Sequence, residues 1–214
     1  LTQTACWFPL LTLRPRTLSA WRYRRSRAMA HCSAPLTLAA ASSPPVPCRK
    51  PLPKALAMPN LAPPILASEW LNTPEHLTLD GLRGRVVAIE CFQMRCPGCV
   101  SHGLPQAQRI AQTFRPQDVV VIGLHCVFEH HAAMTPVSLR AFLHEYRIRF
   151  PVAVDMAGEN GPLPQTMAAY ALEGTPTLLL IDREGRLRAR HFGQVADLAL
   201  GAEIMMLVQE SAGA

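Results

Sequence analysis

Two cysteines separated by two residues, Cys96-Pro97-Gly98-Cys99, are the part of this chain best suited to do chemistry. Thiols at this spacing serve either as a reversible dithiol/disulfide couple or as half of a zinc site. Beyond residue 58 there is no second C-x-x-C and no H-x-x-x-H, so a closed tetrahedral zinc site lacks its other half. Redox chemistry is the better reading. The pair lies where a buried strand gives way to a helix, and the backbone amides of a helix start favour a thiolate. That geometry marks Cys96 as the nucleophile and Cys99, one turn on, as the thiol that attacks the mixed disulfide.

The elements needed to hold such a pair are visible around it. Residues 85–92 form an aliphatic, β-branched run that reads as a buried strand. Val100, Leu104, Ala107, Ala111 and Phe114 recur at helical spacing before Pro116. Residues 119–125 read as a second buried strand, and Thr135-Pro136 as the cap and first turn of a helix whose apolar face is Leu139, Phe142, Leu143 and Tyr146. Residues 150–155 are strand-like and 164–172 helical. Residues 177–182 and 187–191 flank the turn Arg183-Glu184-Gly185 as a hairpin, and 198–209 form a terminal amphipathic helix. Upstream, 68–80 reads as an irregular lead-in with a short strand at Leu77 and Leu79, while Met205, Met206 and Leu207 read as helix packing. Strands alternating with helices, then a closing hairpin and helix, predict an α/β fold with a central mixed sheet covered on both faces.

The dithiol and a second segment, Gly174-Thr175-Pro176-Thr177-Leu178-Leu179-Leu180-Ile181, together resemble the thioredoxin-like superfamily. Pro176 follows Cys96 by eighty residues and matches that family's cis-proline, which packs against the disulfide while the backbone before it, here Thr175, pairs with substrate. By the same resemblance Pro97 and Gly98 line the substrate side. Glu90, six residues before Cys96, stands where the family has a buried acid that shuttles protons to the second cysteine, and burial in an apolar strand suits it to that task. Gly193 matches a family glycine. The resemblance spans roughly residues 65–210, and the additional helix and strand within 126–155 point to the redoxin branch, which holds thiol-disulfide oxidoreductases and the alkyl hydroperoxide reductase/thiol-specific antioxidant group. Two positions depart from pattern. Pro105 comes six residues after Cys99 where the family has five, implying a local adjustment of the helix, and the peroxidase pattern P-x-x-x-T-x-x-C is absent.

A second constellation, His125, Cys126, His130 and His131, follows the strand that runs beside the one before the dithiol. With His102, His125 is placed at the sheet end where ligands gather. These histidines read chiefly as hydrogen-bonded or surface residues; the sharper alternative is a soft metal recruited by Cys96, Cys99 and His125. Cys91 reads as a small buried hydrophobe.

Apolar residues make up 49% of the 214 and charged residues 17%, which excludes wholesale disorder. The longest aliphatic run, 119–124, is far short of the eighteen or so residues that cross a bilayer, so no integral membrane segment is expected. The net charge of +6 belongs to residues 1–57, with 9 Lys+Arg and no acids; residues 58–214 carry 12 basic and 15 acidic residues, and no nucleic-acid face. The tail, with 8 of the 20 prolines and Cys6, Cys32 and Cys48, is read as disordered, processed or an upstream extension, with the domain occupying 58–214. Translation from Met58 implies a cytoplasmic protein; a genuine targeting tail implies an exported or organellar one.

The sequence thus predicts a thiol-disulfide oxidoreductase. Its catalytic residues are Cys96, Cys99, Glu90 and Pro176, with Thr175, Pro97 and Gly98 on the substrate side. It needs no cofactor or metal; it takes a disulfide-containing protein or small thiol as substrate and a thiol as electron donor. The alternatives are a thiol-dependent peroxidase, a copper or zinc chaperone, and a redox-inert binding module on the same fold.

Overall fold

The computed structural model describes residues 61–159 and 161–210. The tail, its three cysteines and the boundary at Met58 lie outside the described residues. The fold is built outward from strand β2 (Val86–Phe92), whose seven residues are all buried. A strand buried along its whole length needs cover on both faces and partners on both edges. β3 (Val119–His125) pairs with it in parallel, from Val86 opposite Val119 to Phe92 opposite His125. On its other edge β5 (Thr177–Ile181) runs antiparallel, with Glu90 opposite Leu178. β6 (Leu187–Phe192) returns from β5 as a hairpin, and its turn uses Gly185 at φ +76°, a conformation costly for any residue with a Cβ. Beyond β3 lie β4 (Val152–Asp155), parallel, and β1 (Ala67–Leu71), antiparallel. The sheet order is β1-β4-β3-β2-β5-β6.

Helices cover both faces. Against one, α1 (Leu104–Thr113), α2 (Pro136–Glu145) and α4 (Asp197–Gln209) bring Leu104, Ala107, Ile110, Leu139, Leu143, Leu200 and Ile204 onto Ala88, Phe92 and Val121. On the other, Met167 of α3 (Gln165–Ala169) and Tyr170 pack with Ile89, Cys91, Ile122 and Leu179. Truncating a wholly buried leucine such as Leu180 or Leu139 costs about 2–5 kcal/mol, a large part of a domain's stability. Caps fix the helix starts. Thr135 Oγ1 accepts the Ser138 amide at 3.3 Å ahead of Pro136, and the Asp155 carboxylate accepts the amides of Thr166 and Met167, both at 2.9 Å. Among the described residues no helix is long and apolar enough to cross a membrane.

The structure corrects the reading of the lead-in. The strand is Ala67–Leu71, pinned to β4, and Leu77 and Leu79 lie in no strand. Leu79 is buried, but just ahead of a turn of 3-10 helix at Asp80–Leu82. Its apolarity reported burial, not extension. Arg85 and Phe150 fall just outside the strands they adjoin, and the helix expected over 164–172 stops at Ala169. Of the methionines assigned to packing, Met205 is 41% and Met206 61% exposed, while Leu207 alone turns inward. The helix after the dithiol opens as a π-turn, Cys99–Gly103, in which the Leu104 amide bonds back to the Cys99 carbonyl, five residues earlier. That turn absorbs the extra residue before Pro105.

Candidate active site

β2 ends at Phe92, and four residues later the chain reaches the dithiol at the mouth of the helix. Cys96 is half-buried and Cys99 wholly buried, and both are free thiols. The Cys99 amide donates to Cys96 Sγ at 3.2 Å, the contact expected where helix-start amides support a thiolate. On the other side the Cys96 thiol donates to the Thr175 carbonyl at 3.5 Å. Burial, reinforced by the hydrogen bond to Cys96, pushes the Cys99 thiol up to about 12. The Thr175 side chain and the Gln93 backbone act in the opposite direction.

The loop before β5 closes over this pair. The Thr175-Pro176 peptide is cis. The proline lies against the helix start, so that a Cβ on Gly98 would stand 3.2 Å from Pro176 Cδ and 4.0 Å from Cys96 Sγ. Behind the loop the Gly193 amide donates to the Pro176 carbonyl at 2.9 Å, and Thr177 Oγ1 donates to the Gly174 carbonyl at 2.7 Å. Thr175 and Gly98 therefore lie beside the sulfur of Cys96 and Pro176 lies against Gly98; Pro97 is exposed and the other three are half-buried.

Glu90 lies deeper, 2% exposed, between Gly123 of β3 and Leu178 of β5. Its Oε1 has no hydrogen-bond partner, and burial raises its carboxyl to about 8. The group is therefore mostly neutral at pH 7 and titrates just above it.

The comparisons with known proteins agree with this architecture. Residues 60–190 match the AhpC/TSA family. The chain belongs to that family. It is 58% identical to a thioredoxin-like superfamily protein of known crystal structure, over 72% of this chain and 99% of that one, with a TM-score of 0.71. It is 51% identical to a thiol-disulfide isomerase from Corynebacterium glutamicum, over 70% and 98% of the two chains, with a TM-score of 0.67. The thiol-disulfide oxidoreductase ResA of Bacillus thuringiensis subsp. konkukian is 24% identical over 113 residues, or 53% of this chain. The match spans 58% of that relative's length. The thioredoxin-like sheet of this AhpC/TSA member is thus shown both by its strand order and by its neighbours.

The histidine cluster separates. His125 is 1% exposed, its ring centroid 5.2 Å from that of Phe92, and its Nε2 has no partner. Burial pulls its pKa down to about 4, so the imidazole is neutral at pH 7. It is neither the surface residue nor the hydrogen-bonded one the sequence suggested. His102, His130 and His131 are exposed. Cys126 packs with Cys91 in the cluster on the opposite face of the sheet. Among the described residues no three His, Cys, Asp or Glu side chains converge to hold a metal, so Cys96, Cys99 and His125 do not assemble the soft-metal site. Two residues were given no role from the sequence. Gln93, buried with an unpartnered Nε2, supplies the carbonyl that accepts the Cys96 amide at 3.2 Å. Gly103 packs under the helix against Glu90 and Pro176; its signal was a glycine in a helical pattern, which costs about 1 kcal/mol against alanine and so asks for a reason.

Proposed function

We propose that this chain is a thiol-disulfide oxidoreductase working by dithiol exchange at Cys96 and Cys99. The carrying observation is the pair itself: a half-exposed sulfur that receives a backbone amide, with a second, buried thiol one turn behind it and a proline loop against both. The Cys96 thiolate attacks one sulfur of a substrate disulfide. An S–S bond forms to Cys96, and the other substrate sulfur leaves as a thiolate that takes a proton. The ionised fraction of Glu90, a minority at pH 7 that grows as the pH approaches 8, then takes the Cys99 proton as Cys99 attacks Cys96 Sγ. The second substrate thiol is released, and the two electrons the substrate gained leave a Cys96–Cys99 disulfide, which an external thiol donor reduces. Gly98 and Pro97 keep the approach to Cys96 low, while Thr175 and Pro176 form the opposite wall along which an extended substrate lies.

The substrate class is a protein or small molecule bearing a disulfide. The Corynebacterium glutamicum relative, named as a thiol-disulfide isomerase, and the Bacillus relative, named as an oxidoreductase, support the reaction class. Reduction of insulin disulfides by dithiothreitol, followed by turbidity, tests the reading. Acceleration by the full chain that disappears in Cys96→Ser supports it, and equal rates with and without the protein refute it.

A further inference from the structure

The residue inserted between Cys99 and Pro105 has a structural consequence at Glu90. The π-turn opens on Cys99 and closes on Gly103, and both are buried. The space a side chain at 103 would need is already taken. A Cβ there would overlap Glu90 Oε1 and would stand 3.0 Å from Pro176 Cβ and 3.1 Å from Glu90 Cδ. The carboxyl's Oε1 has no hydrogen-bond partner, and Gly123, beside Glu90 on β3, sends no side chain toward it.

We propose that Gly103, the last residue of the π-turn, is the positioning residue for Glu90: the missing Cβ is the space that holds the carboxyl between the dithiol helix, β2 and Pro176. The inference rests on the reading of Glu90 as the proton acceptor for Cys99 and adds what keeps that acceptor buried. A Cβ at 103 would push the carboxyl out of its dry site, and the cause of its raised titration would go with it. Alanine is otherwise the better helix former, so a loss on this substitution arises from the contacts with Glu90 and Pro176, which the Glu90→Ala background separates.

The test compares Gly103→Ala, Glu90→Gln, Glu90→Ala and the Gly103→Ala/Glu90→Ala double variant in the full chain. The Glu90 carboxyl is titrated by carbon-13 NMR, and the resolution of a Cys96 mixed disulfide by Cys99 is timed against pH. We expect the titration to fall in Gly103→Ala from about 8 toward the ordinary 4.5. Resolution slows about tenfold, the low end of general-base effects, and loses its inflection near the former midpoint. In the Glu90→Ala background, alanine at 103 has no further effect on the rate. If Glu90→Gln removes the inflection while Gly103→Ala keeps both inflection and midpoint, the inference is overturned and the role of Glu90 stands. If Glu90→Gln keeps the inflection, the role of Glu90 fails instead. Should Gly103→Ala not fold, recovery of the fold in the double variant supports the overlap, and continued unfolding refutes it.

Discussion

The amide of Cys99 points at the sulfur of Cys96 from 3.2 Å, so the two cysteines are unequal before any substrate arrives. One sulfur is half-exposed and supported by the helix start, and the other is buried with its thiol held far up its titration range. Cys96→Ser is expected to abolish disulfide reduction, whereas Cys99→Ser accumulates mixed disulfides that mass spectrometry reads as adducts at Cys96. Iodoacetamide at mildly acidic pH should modify Cys96 first. Faster labelling of Cys99 would reverse the assignment.

Glu90 makes the stability of the domain depend on pH in a defined sense. Its folded-state titration, near 8, lies above the ordinary 4.5, so between those values the folded chain holds a proton that the unfolded chain has lost. Stability therefore falls as pH rises through that window and levels off above it, by about 1.4 kcal/mol per pH unit at most. Glu90→Gln removes the dependence. The gap in melting temperature between variant and parent should shift in the variant's favour from pH 5 to pH 8, and a gap that stays constant would show the carboxyl to be unperturbed.

His125 acts at the acid end with the opposite sign. Burial lowers it to about 4 from 6.5, so in that interval the unfolded state binds the proton and the folded state does not. Stability is lost as pH falls from 6.5 toward 4. In His125→Asn this loss should shrink, read as a flatter melting temperature across the same interval. An unchanged acid limb would assign it to carboxylates elsewhere.

These buried ionisable groups show how unevenly the site could be read from sequence. β2 and β3 were plain because a strand covered on both faces must be continuously aliphatic. Glu90 stood out as the lone acid within such a run. β1 was not legible: Ala67–Leu71 has no strong alternation and is extended because β4 pairs with it, a partner 85 or so residues distant in the chain. The misplacement of Pro105 gave away an irregular helix start but not its form, and the role of Gly103 depends on where the Glu90 side chain goes, which no spacing rule contains. His125 was ambiguous because histidine is at home both in the core and at the surface. Met205 and Met206 misled because α4 is apolar on more than its buried side.

Disulfide and peroxide compete for the same thiolate. Peroxide reduction would convert Cys96 to a sulfenic acid that Cys99 then condenses with, releasing water. The exposed Arg95 is the nearest cation in sequence, and the threonine of the peroxidase pattern is missing. Insulin reduction is expected to outpace consumption of hydrogen peroxide or an alkyl hydroperoxide, at equal enzyme and donor. The reverse ranking, with peroxide turnover lost in Cys96→Ser, would make the protein a peroxidase.

The sheet order carries a consequence for how the chain is made. β2 lies between β3 and β5, and the loop that walls the dithiol directly precedes β5. A ribosome therefore releases Cys96 and Cys99 long before Pro176, and until then one edge of β2 has no partner. Throughout that interval the nascent chain carries an unguarded thiol pair beside an open strand that is apolar but for Glu90, a template for pairing with other chains. A transcript ending before Thr177 would yield such a species permanently, prone to aggregation and to indiscriminate disulfides.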